Sequence, residues 1–320
     1  MTDDRHPLSR RDALKLGVGA CALLALNRLS AFAMEGPNVQ QAGPPILRPI
    51  PSSGEMIPVV GIGTAVIYQS PTPEQMASLR DTLRVFPELG GRVLDTAPSY
   101  GRAEEVVGTL LSELGNRDKY FLATKVSVNG SGDRRVATSQ MEASFRRLKT
   151  NRIDLMQIWN VSKPDIIAPL LGEWKSANRI RYTGITNSFK NRYAQLEAAM
   201  KSYNYDFVQI DLAIDNRSAE DRIIPLAKER GMAVLINGPF GRNRIFQRTA
   251  GKPLPDWAKE IDATSWAQIA LKYIISNPAV TCVIPGTGTV KYVTDNMGAA
   301  HGPLPDEALR TKMAEYVDAL

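Results

Sequence analysis

Eight short apolar runs recur along the chain, at residues 59–62, 92–94, 120–124, 154–158, 180–185, 207–210, 233–236 and 281–284. Stretches with helical periodicity separate them, at 73–86, 104–114, 136–148, 166–177, 192–201, 219–230 and 265–276. Strands that alternate with helices form parallel βαβ units, and eight such units in one chain predict a (β/α)8 barrel. An open doubly wound sheet is the alternative. It would want a G-x-G-x-x-G after the first run, where the chain has only Gly61-Ile62-Gly63-Thr64. Two further runs, 46–50 and 56–58, flank Ser52-Ser53-Gly54 and predict a hairpin ahead of the barrel. With 43% hydrophobic residues and no break in composition, residues 46–320 read as a single barrel domain.

In such a barrel the carboxyl ends of the strands carry the chemistry, so the residues that end the runs matter most. The second run ends in Asp95, and the third leads into Lys125. A carboxylate there is either a turn or capping residue or part of a site. A lysine closing an apolar strand needs a partner or water, and Asp95 is the neighbour the topology offers. Tyr100 follows in a Pro/Ser/Gly turn, before the acidic pair Glu104-Glu105 opens a helix. An ammonium beside a phenol stabilises the phenolate, so the pKa of Tyr100 is expected to fall. Tyr100 would then serve as a general acid.

These residues carry a resemblance to the aldo-keto reductases that runs from about residue 46 to the C-terminus. The stretch from Gly91 to Gly108 is similar to the family's G-x-R-x-x-D-T-A-x-x-Y-G-x-E signature, with Ala103 as one extra residue. Ala123-Thr124-Lys125, Gly184-Ile185-Thr186-Asn187, Val208-Gln209, Pro239-Phe240-Gly241 and Ile284-Pro285-Gly286-Thr287, with Asn296 beyond, resemble further family motifs in the family's order. The resemblance implies NAD(P)H-dependent reduction of a small aldehyde or ketone. Tyr100 would donate the proton, Lys125 would support it, and Asp95 would hold Lys125. Asn187 and Gln209 would bind the nicotinamide carboxamide, while Gly238, Phe240 and Gly241 approach the pyrophosphate by backbone. Gly63 and Thr64 are placed at the cofactor as well. Thr287 and the start of a helix at 290–297 would take the adenosine phosphate, Pro285 and Gly286 belong to the same cofactor segment, and Asn296 would reach the adenine.

The chain departs from the family pattern at three points. The fourth catalytic position, a histidine in D-L-x-Q-x-H-N, is Trp159 in Asp154-Leu155-Met156-Gln157-Ile158-Trp159-Asn160. Outside the first 33 residues the one histidine is His301, expected to be a solvated loop residue. The residue that stacks on the nicotinamide is replaced by Asn237, which cannot stack. Basic residues that hold a 2′-phosphate are replaced by Gly286, Gly288 and Tyr292, although Lys291, Arg242 and Arg244 lie close by. The expected cofactor is therefore NADP, with NAD as the alternative, and no metal is expected. Two other functions stand beside reduction. One is a nicotinamide-binding sensor or partner subunit with little turnover; the other is a different barrel chemistry, such as a lyase or phosphosugar enzyme.

The first 33 residues read as an export signal. Ser9-Arg10-Arg11-Asp12-Ala13-Leu14-Lys15 resembles the twin-arginine motif, and Ala31-Phe32-Ala33 is an A-x-A cleavage pattern. The apolar stretch between them, residues 16–26, is too short for a stable membrane span. Residues 34–45 read as a flexible linker. The expected partner of the signal is the export machinery and the expected location the periplasm, or the cytoplasm if the signal is not used. The segment holds five basic and three acidic side chains, so the mature chain keeps +4 of a formal +6. That charge is modest, no basic run carries interleaved aromatics, and nucleic acid is not an expected partner. Cys21 falls inside the signal, which leaves Cys282 without a disulfide partner.

Overall fold

The structure is a computed structural model that describes residues 43–128 and 130–320. The expected signal at 1–33, with Cys21, and the linker as far as residue 42 lie outside the described residues. Strands β1 (Leu47–Pro49) and β2 (Met56–Pro58) pair antiparallel, which is the expected hairpin. The other eight strands are β3 (Ile62–Gly63), β4 (Val93–Asp95), β5 (Phe121–Val126), β6 (Ile153–Ile158), β7 (Ile180–Asn187), β8 (Phe207–Asp211), β9 (Ala233–Asn237) and β10 (Cys282–Val283). They form one parallel sheet in chain order. Parallel bridges Val60–Val283 and Gly63–Gly286 join its two edges. The architecture is the (β/α)8 barrel. Its seam is tight, because a Cβ on Gly63 would lie 2.9 Å from the carbonyl oxygen of Ile284.

Helices fill the intervals between strands. The first, Pro73–Val85, starts in a capping box: Thr72 accepts from the backbone of Gln75, and the Gln75 side chain accepts from the backbone of Thr72. The next, Ala103–Leu114, ends on Gly115 in the left-handed region, at φ 61°. A last helix, Glu307–Asp318, was not expected from periodicity; Asp306 caps it by accepting from Leu309 N. Among the described residues no helix is long and apolar enough to cross a membrane.

Strand periodicity divides the core in two. Outward-facing residues such as Leu122, Val126, Met156 and Val208 pack against the helices. Inward-facing Val93, Phe121, Ala123, Leu155, Tyr182, Phe207, Ala233 and Leu235 fill the barrel with Cys282 and Ile284. Ile50 and Ile57 from the hairpin join this inner cluster and plug the end from which the strands start. Burying each large apolar side chain contributes roughly 1.5–3 kcal/mol, so both the strand–helix layer and the lower half of the barrel interior stabilise the fold. One step further along the same strands, the inward positions turn polar.

Candidate active site

On β5 the inward residues run Phe121, Ala123, Lys125, and on β6 Leu155 is followed by Gln157. On β8 Phe207 is followed by Gln209, while β4 ends in Asp95. These four polar side chains are almost fully buried. Lys125 donates from Nζ to Asp95 Oδ2 at 2.6 Å and to the carbonyl of Thr96 at 2.8 Å. Gln157 Nε2 donates to the other carboxylate oxygen, Oδ1, at 3.1 Å. The Tyr100 ring lies over the ammonium, with Nζ 5.0 Å from its centroid. Backbone bonds from Tyr100 N to Ala97 O and from Ala103 N to Tyr100 O hold the turn that carries it.

The ion pair sets the charges. Burial pulls the Lys125 pKa down, but Asp95 and then Tyr100 outweigh it, and the ammonium is held above its ordinary value. Tyr100 corrects the sequence expectation. Its pKa is raised, because burial outweighs the pull of Lys125 and Asp95 adds to the rise. Lys125 cannot lend its full charge to the phenolate while a carboxylate sits 2.6 Å away. The site therefore holds a neutral phenol beside a compensated ammonium.

Above this floor opens a cavity of about 700 Å³, a size ordinary for small-molecule and cofactor sites. Asp95, Tyr100, Lys125 and Trp159 all line it. So do Gly63, Thr64, Gln209, Gly238, Phe240, Gly286 and Thr287. Trp159 meets Tyr100 edge to face, ring centroids 5.6 Å apart and planes at 71°. It opens a short turn in which Asn160 and Val161 are left-handed, at φ 45° and 55°. For a β-branched residue such as valine that conformation is strained.

Four expected cofactor residues lie elsewhere. Gly184 and Thr186 take the inward positions of β7, and Asn187, which follows them, is not part of the cavity lining. Its amide is spent on the backbone of Phe189, donating to O at 2.8 Å and accepting from N at 3.2 Å. Thr186 lines the cavity instead. Gly241 borders an adjoining cavity of about 420 Å³. The carbonyl of Pro285 is taken by Gly63 N in the barrel seam. Asn296 stands behind the lining and donates to Thr287 Oγ1 at 3.0 Å.

His301 is a second correction. It is buried, because the tail after residue 299 folds back onto Lys272, whose Nζ donates to the carbonyls of His301 and Pro303. Of the two loop arginines, Arg244 is paired bidentately with Asp215. Arg242 borders the cavity, its guanidinium 5.8 Å from the Phe189 ring centroid. Asn237 lines the cavity as well, accepting from Ser188 Oγ.

One buried atom bears on what the cavity holds. Gln209 Nε2 is enclosed and has no hydrogen-bond partner. An unmet amide donor costs about 1–3 kcal/mol, and a ligand carboxamide or carbonyl in the cavity would satisfy it. The donor set thus fits a nicotinamide. Gln157, which sequence reasoning left without a role, was legible only through its inward parity with Leu155.

A model of the Aldo/keto reductase family matches residues 59–313. Aldo-keto reductase YhdN of Bacillus subtilis is 29% identical over 181 residues, which cover 52% of this chain and 53% of that protein. The chain thus matches only about half the length of that relative. Methylglyoxal reductase YeaE of Escherichia coli is 29% identical over 254 residues, 76% of this chain and 86% of that one. Among solved structures, an aldo/keto reductase from Klebsiella pneumoniae in complex with NADP and acetate has a TM-score of 0.69 at 23% identity, covering 82% and 93% of the two chains. The holo form of aldo-keto reductase AKR11C1 from Bacillus halodurans has a TM-score of 0.68 at 24% identity, covering 85% and 96%.

Proposed function

The chain belongs to the aldo/keto reductase family, and from that membership we propose that it reduces a small aldehyde or ketone to an alcohol with NADPH, Tyr100 acting as the acid. The observation that carries the reading is the buried Asp95–Lys125 pair facing Tyr100 on the floor of the cavity. NADPH, when bound, supplies the hydride to the carbonyl carbon. The Tyr100 hydroxyl, neutral at ordinary pH as a phenol is and kept so to higher pH by its raised pKa, gives its proton to the carbonyl oxygen as charge develops there. Lys125 stabilises the phenolate left behind, and Asp95 holds the ammonium in place. The indole N–H of Trp159 is a single donor where the family has histidine. Gln209 would hold the carboxamide through its unpaired Nε2, with Gly238, Phe240, Gly286 and Thr287 along the rest of the cofactor. Arg242 is the cation at hand for a 2′-phosphate, and NAD is the alternative cofactor.

Fluorescence titration with NADPH and NADH, followed by turnover on a panel of aldehydes, tests the proposal. Micromolar binding and aldehyde-dependent oxidation of NADPH are expected. Absence of binding would refute it. Binding without turnover would favour the second reading, a sensor or partner subunit, for which the observation is Trp159 seated against the acid.

Residues 1–33 are proposed as a twin-arginine signal and 34–45 as a linker, delivering the folded barrel of residues 46–320 to the periplasm. Arg10-Arg11→Lys-Lys should leave an uncleaved precursor in the cytoplasm. An unchanged mature fraction outside would show that the signal is misread.

A further inference from the structure

Carbonyl reduction gives work to Asp95, Lys125 and Tyr100 and none to Gln157. Building on that reaction, we infer that Gln157 is a positioning residue: it pins the Asp95 carboxylate so that the Lys125 ammonium stays shared between Asp95 and Tyr100. Three observations meet at this side chain.

The first is how the carboxylate is held. Its two oxygens have separate donors from neighbouring strands, Lys125 on Oδ2 and Gln157 on Oδ1. Lys125 and Gln157 are direct partners in the β5–β6 register. A carboxylate with one donor can turn and offer both oxygens to the ammonium. With two donors at its two ends, it cannot.

The second is the cost of the arrangement. Only the N–H end of an amide can face a carboxylate, so Gln157 Oε1 is left pointing away, buried and without a partner. An unmet acceptor beside an apolar layer is a standing penalty. Leucine would fill the position without it, as Leu155 does one step below. A residue retained for packing would not need the amide.

The third is room. Gly184 stands beside Gln157 in register on β7. A Cβ there would lie 2.9 Å from Gln157 Cγ and 3.2 Å from Leu155 Cδ1. The adjacent strand gives up its side chain where the Gln157 stem passes.

The consequence for catalysis follows from charge. Without the Gln157 donor, the carboxylate turns toward Lys125 and draws the ammonium away from the phenol. The phenolate is then less stabilised, the pKa of Tyr100 rises further, and proton donation slows.

Gln157→Leu and Gln157→Glu test this in the full chain, with NADPH titration, kcat and KM measured from acid to alkaline pH. For Gln157→Leu we expect kcat roughly tenfold lower, on the order of one lost transition-state contact. KM and NADPH affinity should be unchanged, and the alkaline limb of the kcat profile should move to higher pH. Glutamate is isosteric. While protonated it donates to Asp95 Oδ1 as the amide does, so Gln157→Glu should approach wild-type rates at low pH. It should lose them as the new acid ionises beside Asp95, adding an ionisation that neither wild type nor Gln157→Leu shows. A merely structural role would lower the folded fraction in both variants and leave the pH profile unmoved; that result overturns the inference, as does a wild-type rate in Gln157→Leu. If the wild-type chain binds NADPH but reduces no carbonyl, the reductase reading falls, and the inference falls with it for that separate reason.

Discussion

The lower and upper halves of the barrel interior are made by the same strands, one inward position apart, and their chemistry is opposite. Below, Phe121, Tyr182 and Phe207 pack with ring centroids 5.6–5.8 Å apart, sealed by the hairpin. Above, Lys125, Gln157 and Gln209 continue the same inward rows and bury a charge pair and two amides. The upper half also holds the unpartnered atoms Gln157 Oε1, Gln209 Nε2 and, beside Asp95, Thr96 Oγ1. Left-handed residues gather at the same end: Asn160, Val161 and Lys163 after β6, then Arg242 and Asn243 after β9. Backbone strain persists only where the surrounding structure enforces it, and it clusters at functional sites. The apolar half supplies stability that the polar half spends.

The sharpest way to break that division is Tyr100→Phe, which removes one oxygen from the upper half. A positioned general acid contributes roughly 10²–10⁴-fold, so reduction should fall by that factor while NADPH affinity stays nearly constant. Stability near neutral pH should hardly change. At alkaline pH the effect has a definite sign. The folded-state pKa of Tyr100 is raised, so its contribution to stability is complete below the unfolded value near 10 and is lost as pH rises through the folded one. Denaturant unfolding at pH 8 and pH 11 should show a smaller alkaline loss in the mutant than in wild type. Turnover at the wild-type rate would show that the acid is misassigned.

Phe121→Ala strikes the other half. Removing a buried phenylalanine costs about 3–5 kcal/mol, because Tyr182 and Phe207 lose their partner and the hairpin plug covers a hole. The protein that remains folded should keep its KM and its pH profile, since Asp95 and Lys125 sit one and two inward positions higher on their strands. Denaturant midpoints and kcat per folded molecule separate the two quantities. Activity lost without loss of stability would mean that the halves are not independent.

Much of this division could be read from the chain. The apolar runs placed all eight barrel strands, and the parity of Phe121, Ala123 and Lys125 already put the lysine inside. The first run is the least faithful: of residues 59–62 only Ile62 lies in the regular strand, while Val60 forms the isolated seam bridge with Val283. The same parity, carried through β7, puts Thr186 inward beside Asn187, and Thr186 is the one that lines the cavity. What could not be read was burial. The fall expected for the Tyr100 pKa counted the ammonium and missed both the lost water and the carboxylate that compensates it. His301 looked solvated because nothing local shows Lys272 gathering the tail carbonyls. The final helix is marked by its cap, Asp306, rather than by a continuous apolar stripe, since only Met313 and Val317 are buried.

A smaller effect than these two, and the most informative about the upper half, is that of Trp159→His. The tryptophan is half-buried, its ring edge on to Tyr100 at 5.6 Å, so it both supplies one N–H and occupies space above the acid. Histidine would keep a donor, free the volume of the larger ring and add a group that titrates near 6.5. If the imidazole N–H reaches the carbonyl oxygen where the indole N–H does not, the substitution gains one transition-state hydrogen bond, worth roughly 1–3 kcal/mol, and should raise kcat about ten- to a hundredfold. The gain should be larger for a bulky aldehyde than for a small one, because the small one already fits. NADPH affinity should not move, since Gln209 and the Gly238–Phe240 side of the cavity are untouched. Measuring kcat/KM for one small and one large aldehyde in both proteins separates these contributions. A gain on both aldehydes alike would point to the hydrogen bond, and a gain on the large one alone to space. No gain on either would mean that Trp159 does not limit the site, and the binding-without-turnover reading would then be the stronger one.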